Sequence, residues 1–246
     1  MARKERITIA GYYHIINRGV EKRNIFMQDE DYDIFMDILE NILERFNIEL
    51  QSYCLMTNHY HILLKTNESN ISNAIKQLNL TYTKYFNKKY KRVGHLWQGR
   101  FFSTFLYDDL HCFDVSKYIE RNPIKANIVS DIKNYKYQSF YQRKTKGKYL
   151  KLLNKSITLD MRLDEYETYI KNEFKEDVFD TIYKSPNIIK KDGDIKVLYK
   201  RLETFFDNTT KIDENIKNSY NYGYTNAQIS KYLNISHTKV SRICSK

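Results

Sequence analysis

The apolar positions of this chain recur with two periods, and the change from one to the other marks out its elements. Segment 7–17, ITIAGYYHIIN, is β-branched and aromatic and predicts a strand. In 29–46, Tyr32, Phe35, Ile38, Leu39, Ile42, Leu43 and Phe46 recur at helical spacing. Asp29, Glu30 and Asp31 open that segment and suit the positive end of a helix. Residues 48–55 and 59–66 predict two strands joined by a tight turn at Met56, Thr57 and Asn58. A second amphipathic helix is predicted over 70–88, with Ile71, Ala74, Ile75, Leu78, Tyr82, Tyr85 and Phe86 on its apolar side. Residues 95–107 predict a fourth strand interrupted by Gly99, and 108–121 a third helix stopped near Asn122 and Pro123. Strand, helix, strand, strand, helix, strand is the order of an α+β, ferredoxin-like split βαβ fold, here with an added helix. The expected core is an antiparallel sheet of four to five strands with helices on one face and the other face open to a ligand.

The pattern weakens after residue 135. The basic stretch 141–149, YQRKTKGKY, predicts a linker or solvated loop, and 160–210 reads as helical. The end of the chain is clearer: 225–243 reads as helix, turn, helix. Thr225 caps the first helix, with Ile229, Tyr232 and Leu233, and Asn234 and Ile235 form the turn. Ser236 caps the second helix, with Val240 and Ile243 inward. His237, Thr238, Lys239, Ser241 and Arg242 would then face outward, toward a DNA groove if this is a helix-turn-helix, or toward solvent if it is only a helical cap. The expected division is 1–135, a linker and helical extension over 136–215, and a DNA-binding segment over 216–246.

Composition changes the picture modestly. Hydrophobic residues make up 41% of the 246 residues, enough for a core. Lys and Arg outnumber Asp and Glu by 41 to 30, a net charge of +11 that attracts polyanions. The 22 tyrosines suit stacking on unpaired bases, although an AT-rich genome produces the same excess. The three cysteines, Cys54, Cys112 and Cys244, form no CxxC pair, so no zinc ribbon or disulfide framework is expected. No apolar run suits a signal core or a membrane span, and a soluble cytoplasmic protein with no membrane partner is expected.

Three groups of residues suggest chemistry. His59 and His61 flank Tyr60 on a predicted strand, so both imidazoles share one face and can chelate one ion. Alone, such a pair reads as two exposed histidines on a half-solvated strand. Tyr118 and Asn122 stand four apart on a predicted helix and share its face. A phenol attacks phosphate when a metal polarises the phosphorus, and an amide oxygen is a hard third ligand. That donor set suits Mg²⁺ or Mn²⁺. Tyr118 can also be a core tyrosine, and Asn-Pro can simply end a helix. In RVGHLWQGRFF (92–102), Arg92, His95 and Arg100 suit phosphates, and Trp97 suits a base or the core equally.

These residues resemble a family. YCLMTNHYHILL (53–64) is similar to the His-hydrophobic-His segment of single-tyrosine transposases. GHLWQGRF (94–101) and YIERNPIKA (118–126) are similar to two further segments, in the same order. The match is to the REP-associated tyrosine transposases, over roughly residues 7–135. The resemblance implies a catalytic domain that recognises a DNA hairpin and cleaves single-stranded DNA beside it. It implies metal ligation by His59, His61 and Asn122, attack by Tyr118 to give a 5′-phosphotyrosine, DNA contacts by residues such as Lys125, and reversal by another strand's 3′-hydroxyl. Smaller insertion-sequence relatives carry Gln where Asn122 stands and work as dimers, so a homodimer is among the implied partners. Lys239 and Arg242 would contact duplex DNA from the added C-terminal segment. The alternative is a transcription regulator that uses only that segment. An RNA-binding module ranks last, since it leaves His59, His61 and Asn122 unexplained.

Overall fold

Four strands, β1 (Gly11–Arg18), β2 (Ile48–Met56), β3 (His59–Thr66) and β4 (Phe102–Leu106), form one antiparallel sheet in the order β2-β3-β1-β4. In this computed structural model the described residues are 8–106, 109–172, 187–191, 194–198, 202–206, 211–222 and 224–245. The order follows from two crossovers, α1 (Asp29–Arg45) and α2 (Ile71–Lys89), each joining strands that are not neighbours. This is the expected ferredoxin-like arrangement. Thr57 and Asn58 alone form the β2–β3 turn, because β2 extends through Met56.

Asp31 starts α1 as a hub: its carboxylate accepts from the Met27 and Gln28 amides, from Tyr85 and Tyr90, and from Lys89 at 2.8 Å. Together these bonds tie the start of α1 to the end of α2. Both helices cover the sheet face built from Tyr13, Ile15, Tyr60, Ile62 and Leu64. The opposite face was expected to be open, but α3 (Asp109–Lys125) lies on it. Val115 and Ile119 of α3 pack with Cys54, Met56 and Leu63 of the sheet.

The predicted helix stop at Asn122 and Pro123 does not occur, and α3 runs on to Lys125. Proline removes the donor that Ile119 O would receive. The Asn122 side chain replaces it, donating from Nδ2 to Ile119 O at 3.2 Å and to Tyr118 O at 2.9 Å. The helix then closes at Asn127 (φ +53°), with paired bonds from Asn127 N to Ile124 O and from Ile128 N to Pro123 O.

The predicted strand over 95–107 is shorter than expected. Regular pairing with β1 starts at Phe102, while Trp97 makes an isolated bridge to Gly19; Tyr107 lies outside the described residues. The predicted linker at 141–149 is folded in part as α4 (Ser139–Thr145), with Phe140 and Tyr149 buried. Ser139 bonds to Tyr53 and Glu120, Ser156 bonds to Gln51 O, and α5 (Leu163–Lys171) buries Tyr166 and Ile170 against Ile132 and Phe140. Residues 136–171 therefore belong with the sheet, and the chain divides into Met1–Tyr183 and Lys184–Lys246 rather than at 135.

In the second unit, the 160–210 region expected to be helical contains an antiparallel hairpin of β5 (Asn187–Lys191) and β6 (Asp194–Leu198). Asp192-Gly193 between them in the sequence is the hairpin signal that a helical reading passes over. Three helices follow: α6 (Ile212–Tyr222), α7 (Asn226–Leu233) and α8 (His237–Cys244). Thr225 and Ser236 accept from the backbone as caps, and Asn234 takes the left-handed turn (φ +53°). Ile229, Val240 and Ile243 are buried with Ile216 and Tyr224, while Tyr232 is exposed.

Candidate active site

Strand alternation places His59, His61 and Leu63 on the face under α3, together with His14, Ile16 and Arg18 of β1. The register pairs Ile16 with His61 and Arg18 with His59. His14, which the sequence reading passed over, sits diagonally from His61 and meets it: His14 Nε2 and His61 Nδ1 are 3.0 Å apart. Only antiparallel pairing of strands 47 residues apart makes this contact, although β-strand alternation from Arg18 would have placed His14 on the same face.

The Tyr118 ring, half-buried on α3, stands edge-on to both buried imidazoles. Its centroid is 5.6 Å from that of His61 and 5.9 Å from that of His14. The Lys125 ammonium lies over the same phenol ring, 4.5 Å from its centroid. A cation there is attracted by the negative face of the ring.

All three imidazoles are held neutral. Burial lowers His14 to about 3; burial and then the Arg18 charge lower His59 to about 4. His61 is pushed well below the ordinary range by burial, then by the neighbouring His14, His59, Arg18 and Lys125 charges. Neutral imidazole is the form that ligates metals.

The tautomers are also constrained. Asn58 Nδ2 donates to Lys22 O, so its Oδ1 faces His59 and can only accept; His59 Nδ1 therefore donates to it at 2.6 Å. The lone pair of His59 is on Nε2. His61 has Nδ1 engaged with His14, which leaves Nε2 as its remaining donor atom. Two Nε2 atoms on rings 5.1 Å apart fit a divalent ion held by a pair of imidazoles. Among the described residues, no group of three or more His, Cys, Asp and Glu could hold a metal, so a third ligand must come from another residue type or from substrate. Asn122, nearly buried, lies one turn beyond Tyr118 with its amide nitrogen committed to the helix carbonyls.

The other sequence candidates scatter. Trp97 packs edge-on to Tyr60 and donates to Asn79 O and Thr83 Oγ1, on the face away from the histidines, so it is spent on packing rather than stacking on a base at this site. Arg92 lies over Phe86 at the end of α2. His95 and Arg100 are exposed. Arg100 lines a shallow cleft with Arg18, Gln98 and Phe102. Lys239 and Arg242 are exposed on α8, in the other unit. Cys54 and Cys112 are buried thiols outside any disulfide. Among the described residues, no helix is long and apolar enough to cross a membrane.

Three similarities to known proteins bear on this chain. The family model described as "Transposase IS200 like" matches residues 8–122, from the first strand to Asn122. A protein of Haemophilus influenzae (strain ATCC 51907 / DSM 11121 / KW20 / Rd) named "Putative REP-associated tyrosine transposase" is 28% identical over 120 residues, which is 44% of this chain and 68% of the relative. Among solved structures, a REP-associated tyrosine transposase bound to a REP hairpin aligns with a TM-score of 0.49 and 16% identity, covering 58% of this chain and 84% of that one. The sheet, the histidine pair and Tyr118 thus fall inside the one segment, residues 8–122, that matches the IS200-like transposase model.

Proposed function

We propose that this protein is a metal-dependent transposase-type endonuclease and strand transferase that cleaves single-stranded DNA beside a hairpin through Tyr118. The observation that carries this reading is the edge-on packing of the Tyr118 ring against His61 and His14 on the sheet face that also bears His59. A relative and a solved structure named as REP-associated tyrosine transposases, the latter with a REP hairpin, support the choice of hairpin DNA.

In this reading Tyr118 Oη bonds to phosphorus and gives its proton to solvent, while the bond from phosphorus to the 3′ oxygen breaks and that oxygen takes up a proton from solvent. The products are a 5′-phosphotyrosine and a free 3′-hydroxyl. Attack by a 3′-hydroxyl of another strand reverses the step, so no ATP is consumed. His59 and His61 would hold Mg²⁺ or Mn²⁺, and the Asn122 amide oxygen or a phosphate oxygen would complete the set. When bound, the ion supplies Lewis-acid polarisation of the phosphate. Lys125 holds positive charge over the phenol ring and stabilises the phenolate as it forms. Burial keeps the imidazoles neutral, the form that ligates a metal.

Lys239 and Arg242, exposed on α8 with both caps formed, support a separate contribution of 216–246 to duplex binding. The test is incubation with hairpin-bearing single strands and Mn²⁺ or Mg²⁺. A covalent protein–DNA adduct is expected, and Tyr118→Phe should abolish it while leaving DNA binding intact. An adduct that survives in Tyr118→Phe refutes the assignment. Binding that is confined to duplex DNA, survives EDTA and is lost with residues 216–246 would favour a regulator instead.

A further inference from the structure

The β1–β4 pairing is interrupted beside the histidines. Ile16 pairs with Phe102, and the next bridge joins Gly19 to Trp97. Between them, Asn17 and Arg18 on β1 face four residues, Gln98 to Phe101, so the second chain carries a two-residue bulge. Gln98 N still bonds to Arg18 O at 2.9 Å, and Phe101 is buried, which leaves Gly99 and Arg100 pushed out and exposed. The bulge opens a cleft of about 270 Å³, lined by Ile16, Arg18, Gln98, Arg100 and Phe102 among others.

The contents of this cleft are unusual for a sheet edge. Phe102 is 53% exposed, although it sits in regular pairing. Its cross-strand row is Phe102, Ile16, His61, so its ring projects from the same face as the histidine pair. Two strand spacings, about 10 Å, separate it from His61. Arg18 pairs with His59, and its charge bears on both His59 and His61. Phe102 thus offers a ring face to a base, and Arg18 and Arg100, both toward the same end of the paired strands, line the same cleft and suit phosphate.

We propose that this cleft is a subsite for a nucleotide of single-stranded DNA that neighbours the phosphate at the histidine pair, with Phe102 stacked on its base and Arg18 and Arg100 on its phosphate. The proposal deepens the reading of the site given above and rests on it for the identity of the ligand. A strand entering the histidine site crosses this cleft in an extended form, which a duplex cannot adopt. The cleft would then set the path of the strand without reading its sequence, since every base has a face to stack.

The test uses the full chain in EDTA, so that binding is read without cleavage. The probe is a short oligothymidylate with one 2-aminopurine, whose fluorescence is quenched by stacking. Phe102→Ala should lose the quenching and weaken binding by about 5- to 150-fold, the usual worth of one stacked base. Phe102→Trp should retain both. Arg18→Ala with Arg100→Ala should lower the slope of log affinity against log salt by about 1.4, two phosphate contacts on a single strand. Unchanged affinity and quenching in Phe102→Ala, an unchanged salt slope in the double variant, or equal losses on duplex DNA would each overturn the subsite. The two readings fail separately: loss of binding in these variants without any covalent adduct in wild type sinks the cleavage reading alone. An adduct with undiminished binding in Phe102→Ala sinks the subsite alone.

Discussion

Glu120 lies on the tyrosine helix, two residues beyond Tyr118, and its carboxyl is wholly buried. Burial pushes its pKa from 4.5 up to about 8, against the opposing pull of the Ser139 hydroxyl at 2.5 Å, the Arg143 charge and the Tyr166 hydroxyl. At neutral pH the folded protein therefore holds a proton that the unfolded chain releases. Because the folded value is the higher one, this group's full contribution to stability is present below about pH 4.5 and is lost as pH rises to about 8. Over that interval of about 3.5 pH units, at about 1.4 kcal/mol each, the loss is about 5 kcal/mol as an upper bound. Local relaxation brings it nearer about 3 kcal/mol.

Glu120→Gln keeps the shape and an oxygen for Ser139 but cannot ionise. Urea unfolding followed by the single Trp, Trp97, reports on the unit that contains this helix. Wild type and variant should be equally stable within about 1 kcal/mol near pH 5. They should diverge steadily above it, with the variant more stable by about 3 kcal/mol or more at pH 9. Other titrating groups are common to both proteins and cancel in the comparison. A stability difference that stays constant from pH 5 to pH 9 would show that Glu120 does not titrate on folding, and would refute the argument from burial.

Two further outcomes follow from the site. His14→Leu removes the partner that holds His61 Nδ1, and should weaken Mn²⁺ binding in calorimetry by about 10- to 100-fold, whereas His14→Gln should recover part of it. Equal Mn²⁺ affinity in wild type and His14→Leu would make His14 a packing residue only. Asn122→Ala leaves Ile119 O without the donor that offsets Pro123, and should cost about 1–3 kcal/mol in urea unfolding together with faster amide exchange near the end of the helix. An Asn122→Ala protein of unchanged stability would mean that water satisfies that carbonyl as well.

Local periodicity was sufficient for the elements of the sheet unit. Alternation in 59–66 and helical spacing in 29–46 and 70–88 each reflect burial of one face, and burial is what the sheet and its two crossover helices share. Caps were legible for the same reason: Thr225 and Ser236 act on backbone groups three residues away. The pairing of His59 with His61 on one side of a strand needed nothing beyond the alternation of a β-chain. What remained hidden depends on contacts between distant segments. His14 gains its meaning from strand register, α3 crosses Pro123 because a side-chain amide substitutes for a backbone one, and the basic stretch after 138 folds because Phe140 and Tyr149 find a surface to bury against. Gly99 marked an interruption or bulge of the strand in the sequence, and pairing with β1 decided how many residues it holds. Periodicity records which side of an element is buried, and it carries no information about which partner does the burying.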